Sequence, residues 1–234
     1  MKKYDVVGIG NAVVDIISSC DDGFLKKMGI EKGIMQLIDK DRSEFLYNSM
    51  GSRTNAAGGS VANTVAGISS LGGETAFVGR VSDDDLGRFY AQATRDAGTD
   101  FLNPPVPNGL LPTSRSMIFN SQDGDRSMNT YLGISGDLST DDIPTDLANS
   151  AAIVFLEGYL FDKSKGKDAF VKLARDTKLA GGKTGIAISD PFCVERHRSD
   201  FLNLIENDLD FVIGNEEEIK SLFKTEDLEI ALEK

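Results

Sequence analysis

The 234-residue chain has no tryptophan, one histidine and two cysteines. Cys20 and Cys193 stand far apart and form no C-x-x-C pattern. That excludes a disulfide scaffold or a cysteine zinc site and leaves two reduced thiols. The lone His197, with Ser135-Gly136-Asp137 in a distant loop, supplies no base for a Ser-His-Asp hydrolase. No apolar run approaches the roughly 20 residues of a membrane-spanning helix. Basic residues are in deficit, 25 Lys plus Arg against 37 Asp plus Glu, for a net charge of −12. Such a chain has no electrostatic footprint for nucleic acid and no pull toward an anionic membrane. An anionic ligand would have to be met by local N–H donors, Lys, Arg or a metal ion. The start of the chain, Met1-Lys2-Lys3 through Ile17-Ser18-Ser19-Cys20, imitates a lipoprotein signal only faintly, because Asp5, Asn11 and Asp15 interrupt its apolar stretch. The expectation is a cytoplasmic protein with neither nucleic-acid nor membrane partners.

What is present is an ordinary globular composition, 40% hydrophobic and 26% charged, long enough for one α/β domain with a real core. Strands are expected over 6–9, 33–38 and 75–81. Helices are expected over 39–49 with an Asp cap, 60–71 capped by Ser60, and 82–97 ended by Gly98. A proline-rich break at 103–112 precedes a hairpin, 114–120 and 126–131, turning at Asp123-Gly124. From residue 151 the pattern alternates: strands at 153–156, 185–189 and 209–213, helices at 167–179, 198–206 and 216–223. Alternation of this kind predicts a mainly parallel sheet with crossover helices. The hairpin and strand 33–38 read as a small antiparallel appendage.

Four stretches could carry chemistry. Gly8-Ile9-Gly10-Asn11 follows the first strand, but Val13 stands where a dinucleotide fingerprint needs its third glycine, and Asp15 comes too early to hold a ribose. An NAD-dependent oxidoreductase therefore rests on Gly8-x-Gly10 alone. Asn11 and Asp15 stand where α/β sheets place ligand contacts, just past a strand's carboxyl end. Gly58 and Gly59 precede a helix N-terminus and would let a ligand lie against the main chain, and Asn63 one turn in can donate to and accept from a hydroxyl; a loop followed by a cap is the plainer reading. Gly182-Lys183-Thr184 imitates a Walker A ending, yet Thr177 replaces the required glycine and a strand follows instead of preceding it. In Asn215-Glu216-Glu217-Glu218, Asn215 and Glu218 share a helix face and could hold Mg²⁺ through its waters. An acidic first turn stabilised by the helix dipole accounts for the rest.

Taken in order, these segments resemble the ribokinase-like, or PfkB-type, carbohydrate and nucleoside kinases. The resemblance is carried by G-I-G-N-A-V-V-D at 8–15, A-G-G-S-V-A-N-T at 57–64, F-V-G-R-V-S-D-D-D-L-G at 77–87, D-G-D-R-S-M-N-T at 123–130, L-E-G-Y-L at 156–160, S-D-P-F at 189–192 and N-E-E-E at 215–218. It implies a three-layer ribokinase-like fold over 1–234, with a β lid from about 33–38 and 112–132. It implies ATP- and Mg²⁺-dependent phosphorylation of a primary hydroxyl on a small sugar or nucleoside. Asn11, Asp15, Gly58, Gly59, Asn63 and Glu157 then match substrate-side positions. Asp190 and Asn215 match the phosphate side, and Glu218 the Mg²⁺ side. The adenosine-kinase-like branch and its sugar-kinase relatives look nearest. The exposed lid is a candidate homodimer surface. Ser82 stands where the family usually has glycine. The family's D-T-x-G-A-G-D motif, which supplies the anion hole and the catalytic base, does not occur in these residues. The resemblance therefore implies a base beyond Lys234 and an inactive 234-residue chain. A non-catalytic sugar- or nucleoside-binding protein that keeps only the substrate clasp is the alternative.

Overall fold

The first strand, β1 (Tyr4–Ile9), is short and apolar, and a second, β2 (Val13–Ser19), follows almost at once. The computed structural model describes residues 2–233, so the domain bounds expected at 1 and 234 lie outside the described residues. Next come α1 (Asp22–Met28), β3 (Met35–Leu37), α2 (Lys40–Ser49), β4 (Thr54–Gly58), α3 (Ser60–Ser70) and β5 (Thr75–Val78). They are followed by α4 (Asp85–Asp96), β6 (Thr99–Phe101) and the hairpin β7 (Ser114–Asn120) and β8 (Arg126–Tyr131). The last part contains α5 (Leu147–Ser150), β9 (Ala151–Glu157), α6 (Ser164–Leu179), β10 (Lys183–Ala187), α7 (Pro191–Asp208), β11 (Phe211–Ile213), α8 (Glu216–Phe223) and α9 (Leu228–Leu232).

Two sheets result. The larger has the order β11-β10-β9-β1-β5-β6, and every pairing in it is parallel. Side chains alternate across it as strand geometry requires. Val7, Ile9, Val154 and Leu156 pack with α6 and α7 on one face. Val6, Phe77 and Phe155 pack with α3 and α4 on the other. This is the expected three-layer α/β fold. The second sheet, β3-β8-β7-β2-β4, lays Val14, Ile16, Met117 and Phe119 against α1 and α2, so one core continues from sheet to sheet.

From β1 the chain reaches β5 and β6 on one side, then returns to β9, β10 and β11 on the other. Adjacent strands whose onward connections diverge leave a crevice at their carboxyl ends. Here that crevice opens beside Gly10 and Glu157, because Ile9 pairs with Leu156.

The structure revises several expected elements. Asp15 does not sit in a loop past the first strand; it lies within β2. The second sheet is mixed, since β3 pairs in parallel with β8 and β2 in parallel with β7. It also takes in β2 and β4, two segments absent from the expected appendage. Gly59, at φ 108°, occupies the N-cap of α3, and Ser60 makes no side-chain cap. Helix α4 starts at Asp85 because Asp84 accepts from the Gly87 N–H at 2.7 Å. Helix α7 starts at Pro191, capped by Asp190, and kinks at His197. Gly182-Lys183-Thr184 leads from α6 into β10, as its order in the chain requires.

Candidate active site

A cleft of about 290 Å³ lies between the two sheets at the crevice. Asn11, Asp15, Gly59, Asn63 and Glu157 all border it. These sequence-selected residues therefore come together from the β1–β2 connection, β2, the N-terminus of α3 and β9, with Gly58 beside them behind Asp15.

Asp15 points into the cleft from β2, and its carboxylate makes no hydrogen bond among the described residues. Burial pushes its carboxyl up to about 6, with the Arg126 guanidinium pulling the other way. Gly58 is what lets it lie there: a Cβ at that position would stand 2.5 Å from the Asp15 carboxyl carbon. Asn63 faces the cleft from an exposed position in the first turn of α3.

Glu157 is built differently. It is 1% exposed. Its Oε1 accepts from the Asn11 backbone N–H at 3.1 Å and from Asn11 Nδ2 at 2.8 Å. Its Oε2 accepts from the Val61 N–H at 3.2 Å. Burial raises its pKa, and these hydrogen bonds oppose the rise. Asn11 is equally committed, because its Oδ1 accepts from Ser135 Oγ at 3.0 Å.

On the second sheet, Arg126, Met128 and Thr130 of β8 face the cleft together with Ser116, Met35 and Leu132. Sequence reasoning missed these residues. The signal was the period of two in Arg126-Ser127-Met128-Asn129-Thr130, whose odd members are buried on the opposite face. Arg126 is exposed, and among the described residues it is the one cationic side chain bordering this cleft.

Asp190 lies outside the cleft, in an adjoining depression with Tyr159, Asp162, Phe192 and Arg196. Its Oδ1 accepts from the Cys193 N–H at 2.7 Å. Asp162 is held by Arg196, at 3.0 and 2.8 Å, and by His197 Nε2 at 2.7 Å. Asn215 and Glu218 border neither space. Ala187 is in register with both Glu157 and Ile213, so the end of β11 is two strand spacings from Glu157, about 10 Å.

Asn215 and Glu218 close on each other as a capping box. Asn215 Oδ1 accepts from the Glu218 N–H at 2.9 Å, and Glu218 accepts from the Asn215 N–H at 3.0 Å and from Nδ2 at 2.8 Å. Among the described residues no group of three or more His, Cys, Asp or Glu side chains could hold a metal ion. The donor set fits contact with a cation through water, not direct coordination.

A sequence profile described as pfkB family carbohydrate kinase matches residues 34–234. The adenosine kinase of Sinorhizobium meliloti superposes with a TM-score of 0.92 and 46% identity, over 99% of this chain and 71% of that one. A probable sugar kinase from Rhizobium etli CFN 42 gives 0.92 and 42%, over 100% of this chain and 71% of that one. The guanosine-inosine kinase of Escherichia coli (strain K12) is 23% identical over 98% of this chain and 55% of its own length. The chain thus spans about half the length of that curated relative.

Proposed function

The chain belongs to the pfkB family of carbohydrate kinases, and on that premise we propose that the whole protein phosphorylates a primary hydroxyl of a nucleoside, with ATP as donor and Mg²⁺. The observation that carries the reading is the partnerless Asp15 carboxylate at the floor of the cleft. A half-buried carboxylate that accepts from no protein donor is open to donors supplied by a ligand. Vicinal ribose hydroxyls are suitable donors, and hydrogen bonds to a charged group contribute about 1.5–3 kcal/mol each. Asn63 and the backbone around Gly58 and Gly59 complete the grip on the sugar, with Asn11 behind them.

The wall opposite favours a nucleoside over a simple sugar. Met35, Leu37, Met128 and Leu132 border the cleft on the lid side. A purine can lie flat against such a wall. A second polyol ring would bury hydroxyls without partners, at about 1–3 kcal/mol each. The S. meliloti adenosine kinase, at 46% identity, supports the same choice.

The donor is assigned to the side of β10 and β11, where Asp190, Asn215 and Glu218 lie. Mg²⁺ bound to the triphosphate would offset charge on the transferring group. Asn215 and Glu218 would hold that ion through water, and Asp190 would flank the phosphates. The second sheet acts as a lid that excludes water, so the phosphoryl group goes to the acceptor. None of the cleft carboxylates is assigned as the general base: Asp15 grips the sugar, Glu157 has both oxygens occupied, and Asp162 is held by Arg196 and His197. We assign the base to residues other than these 234, which by themselves should bind nucleoside without turning it over.

The test has two arms. Calorimetry with the 234-residue chain should show adenosine binding and no ribose or fructose binding. ADP release by the whole protein with ATP and Mg²⁺ should be fastest with a purine nucleoside. Preference for a sugar without a base would overturn the substrate assignment. Nucleoside binding by the whole protein with no ADP release would replace the kinase with a binding protein.

A further inference from the structure

The chain passes from the larger sheet to the second one and back more than once. The first passage is Gly10-Asn11-Ala12, between β1 and β2. The return from β4 runs through Gly59 into the first turn of α3. A later return leads from β8 into Gly133–Asp137, which holds Ser135. One carboxylate holds the first two directly and meets the third through Asn11. Glu157, at the end of β9, takes the Asn11 N–H and amide and the Val61 N–H, with the neighbouring Ser60 N–H also favouring its charge. Through Asn11 it is linked to Ser135. The main chain is fitted to it, since a Cβ at Gly10 would stand 2.6 Å from Glu157 Oε2.

We propose that Glu157 is a positioning residue, a buried anionic knot that fixes the hinges between the two sheets and so sets the distance between Asp15 and Asn63. It does not grip the substrate. Both its oxygens are already loaded with donors from the protein, whereas Asp15 has none. Among the described residues no lysine or arginine pairs with it. Its charge is met by the free N–H groups and dipole of α3, an 11-residue helix whose N-cap is a glycine without a side-chain acceptor. Glu157 thus does for α3 what Asp84 does for α4 from within its own loop. A glutamine cannot replace it. Its amide has one acceptor oxygen, and its NH₂ would face N–H groups either at Asn11 or at α3.

The inference rests on the nucleoside reading for its effect on affinity, and on nothing but the fold for its effect on the hinges. Two measurements separate them. In the ligand-free chain, hydrogen exchange by NMR should be at least tenfold faster at Asn11, Ser60 and Val61 in Glu157→Gln, with Met117 and Phe119 of β7 unchanged. Unchanged exchange at the three amides overturns the knot. Should the variant not fold, the wild type decides: Ser60 and Val61 should exchange at least tenfold more slowly than Glu216 and Glu217 in the first turn of α8, and equal rates overturn it. In calorimetry, Glu157→Gln should weaken adenosine, 2′-deoxyadenosine and 3′-deoxyadenosine by the same factor, tenfold or more. Combined with Asn11→Ala it should weaken them no further. A penalty that vanishes for one deoxy analogue would make Glu157 a direct ligand and overturn the proposal. Wild-type chain that binds none of the three would end the nucleoside reading, while the exchange result would still decide the knot.

Discussion

The second sheet and the carboxyl end of the larger sheet each present a carboxylate to the same cleft, and the two are opposites. Asp15, on β2, is desolvated, partnerless and lifted to about 6. Glu157, on β9, is more deeply buried and yet satisfied by the backbone around it. Burial alone therefore does not mark a ligand contact; what marks it is burial with the donors left out. Burial raises both carboxyls, but only at Glu157 do protein donors oppose the rise through hydrogen bonds.

The largest expected effect breaks the partnerless half. Asp15→Asn should weaken nucleoside binding by about 100-fold, since roughly two charged hydrogen bonds are lost. The same change should stabilise the free chain, by about 1–3 kcal/mol at pH 7. The sign follows from the raised pKa. Asp15 contributes stability below about pH 4, in its protonated form, and loses it as pH rises through about 6. The gap between variant and wild type should open between those values and stay level above them, as denaturant titrations across pH would record.

Glu157→Gln should act the other way on the free chain. It leaves buried N–H groups without an acceptor and should cost about 1–3 kcal/mol of stability, measurable in urea. Were it neutral while Asp15→Asn destabilised, the contrast between the two carboxylates would be inverted.

How much of this was legible follows the same division. The alternation of strands and helices after residue 151 stood out because apolar runs such as Ala151–Glu157 are bounded by glycines and caps. Asn11 was legible as a polar residue past a strand end, Asp15 was placed there too but lies within β2, and Glu157 entered only through the family resemblance. Strand β2 was not legible, because Asp15 interrupts its apolar residues and the turn at Gly10-Asn11, which sends the chain into a different sheet, leaves no mark of that change in the sequence. Strand β4, Thr-Asn-Ala-Ala-Gly, has almost no strand propensity and exists because β2 pairs with it. The different status of Asp15 and Glu157 was invisible for a simpler reason: their hydrogen-bond partners, Val61 and Asn11 among them, are distant in sequence. The capping box of Asn215 and Glu218 was written in the N-x-x-E spacing itself.

Gly58→Ala sharpens the comparison at a smaller scale. The added methyl would push against the Asp15 carboxyl, 2.5 Å away, and cost about 1–3 kcal/mol. It should lower nucleoside affinity about tenfold while leaving exchange at the amides of Ser60 and Val61 beside Glu157 unchanged. The smallest effect belongs to Arg126→Ala. This exposed cation only eases the charge on Asp15, so its loss should raise the Asp15 pKa further and weaken binding by a few-fold. The midpoint of the pH dependence of adenosine binding should move upward.

One measurement bears most directly on the claim that Asp15 is held partnerless for a ligand: the melting of the Asp15→Asn chain with and without adenosine. The account predicts a ligand-free melting temperature equal to or above the wild type and no upward shift on adding adenosine. A lower ligand-free value, or a shift as large as the wild type's, would contradict it.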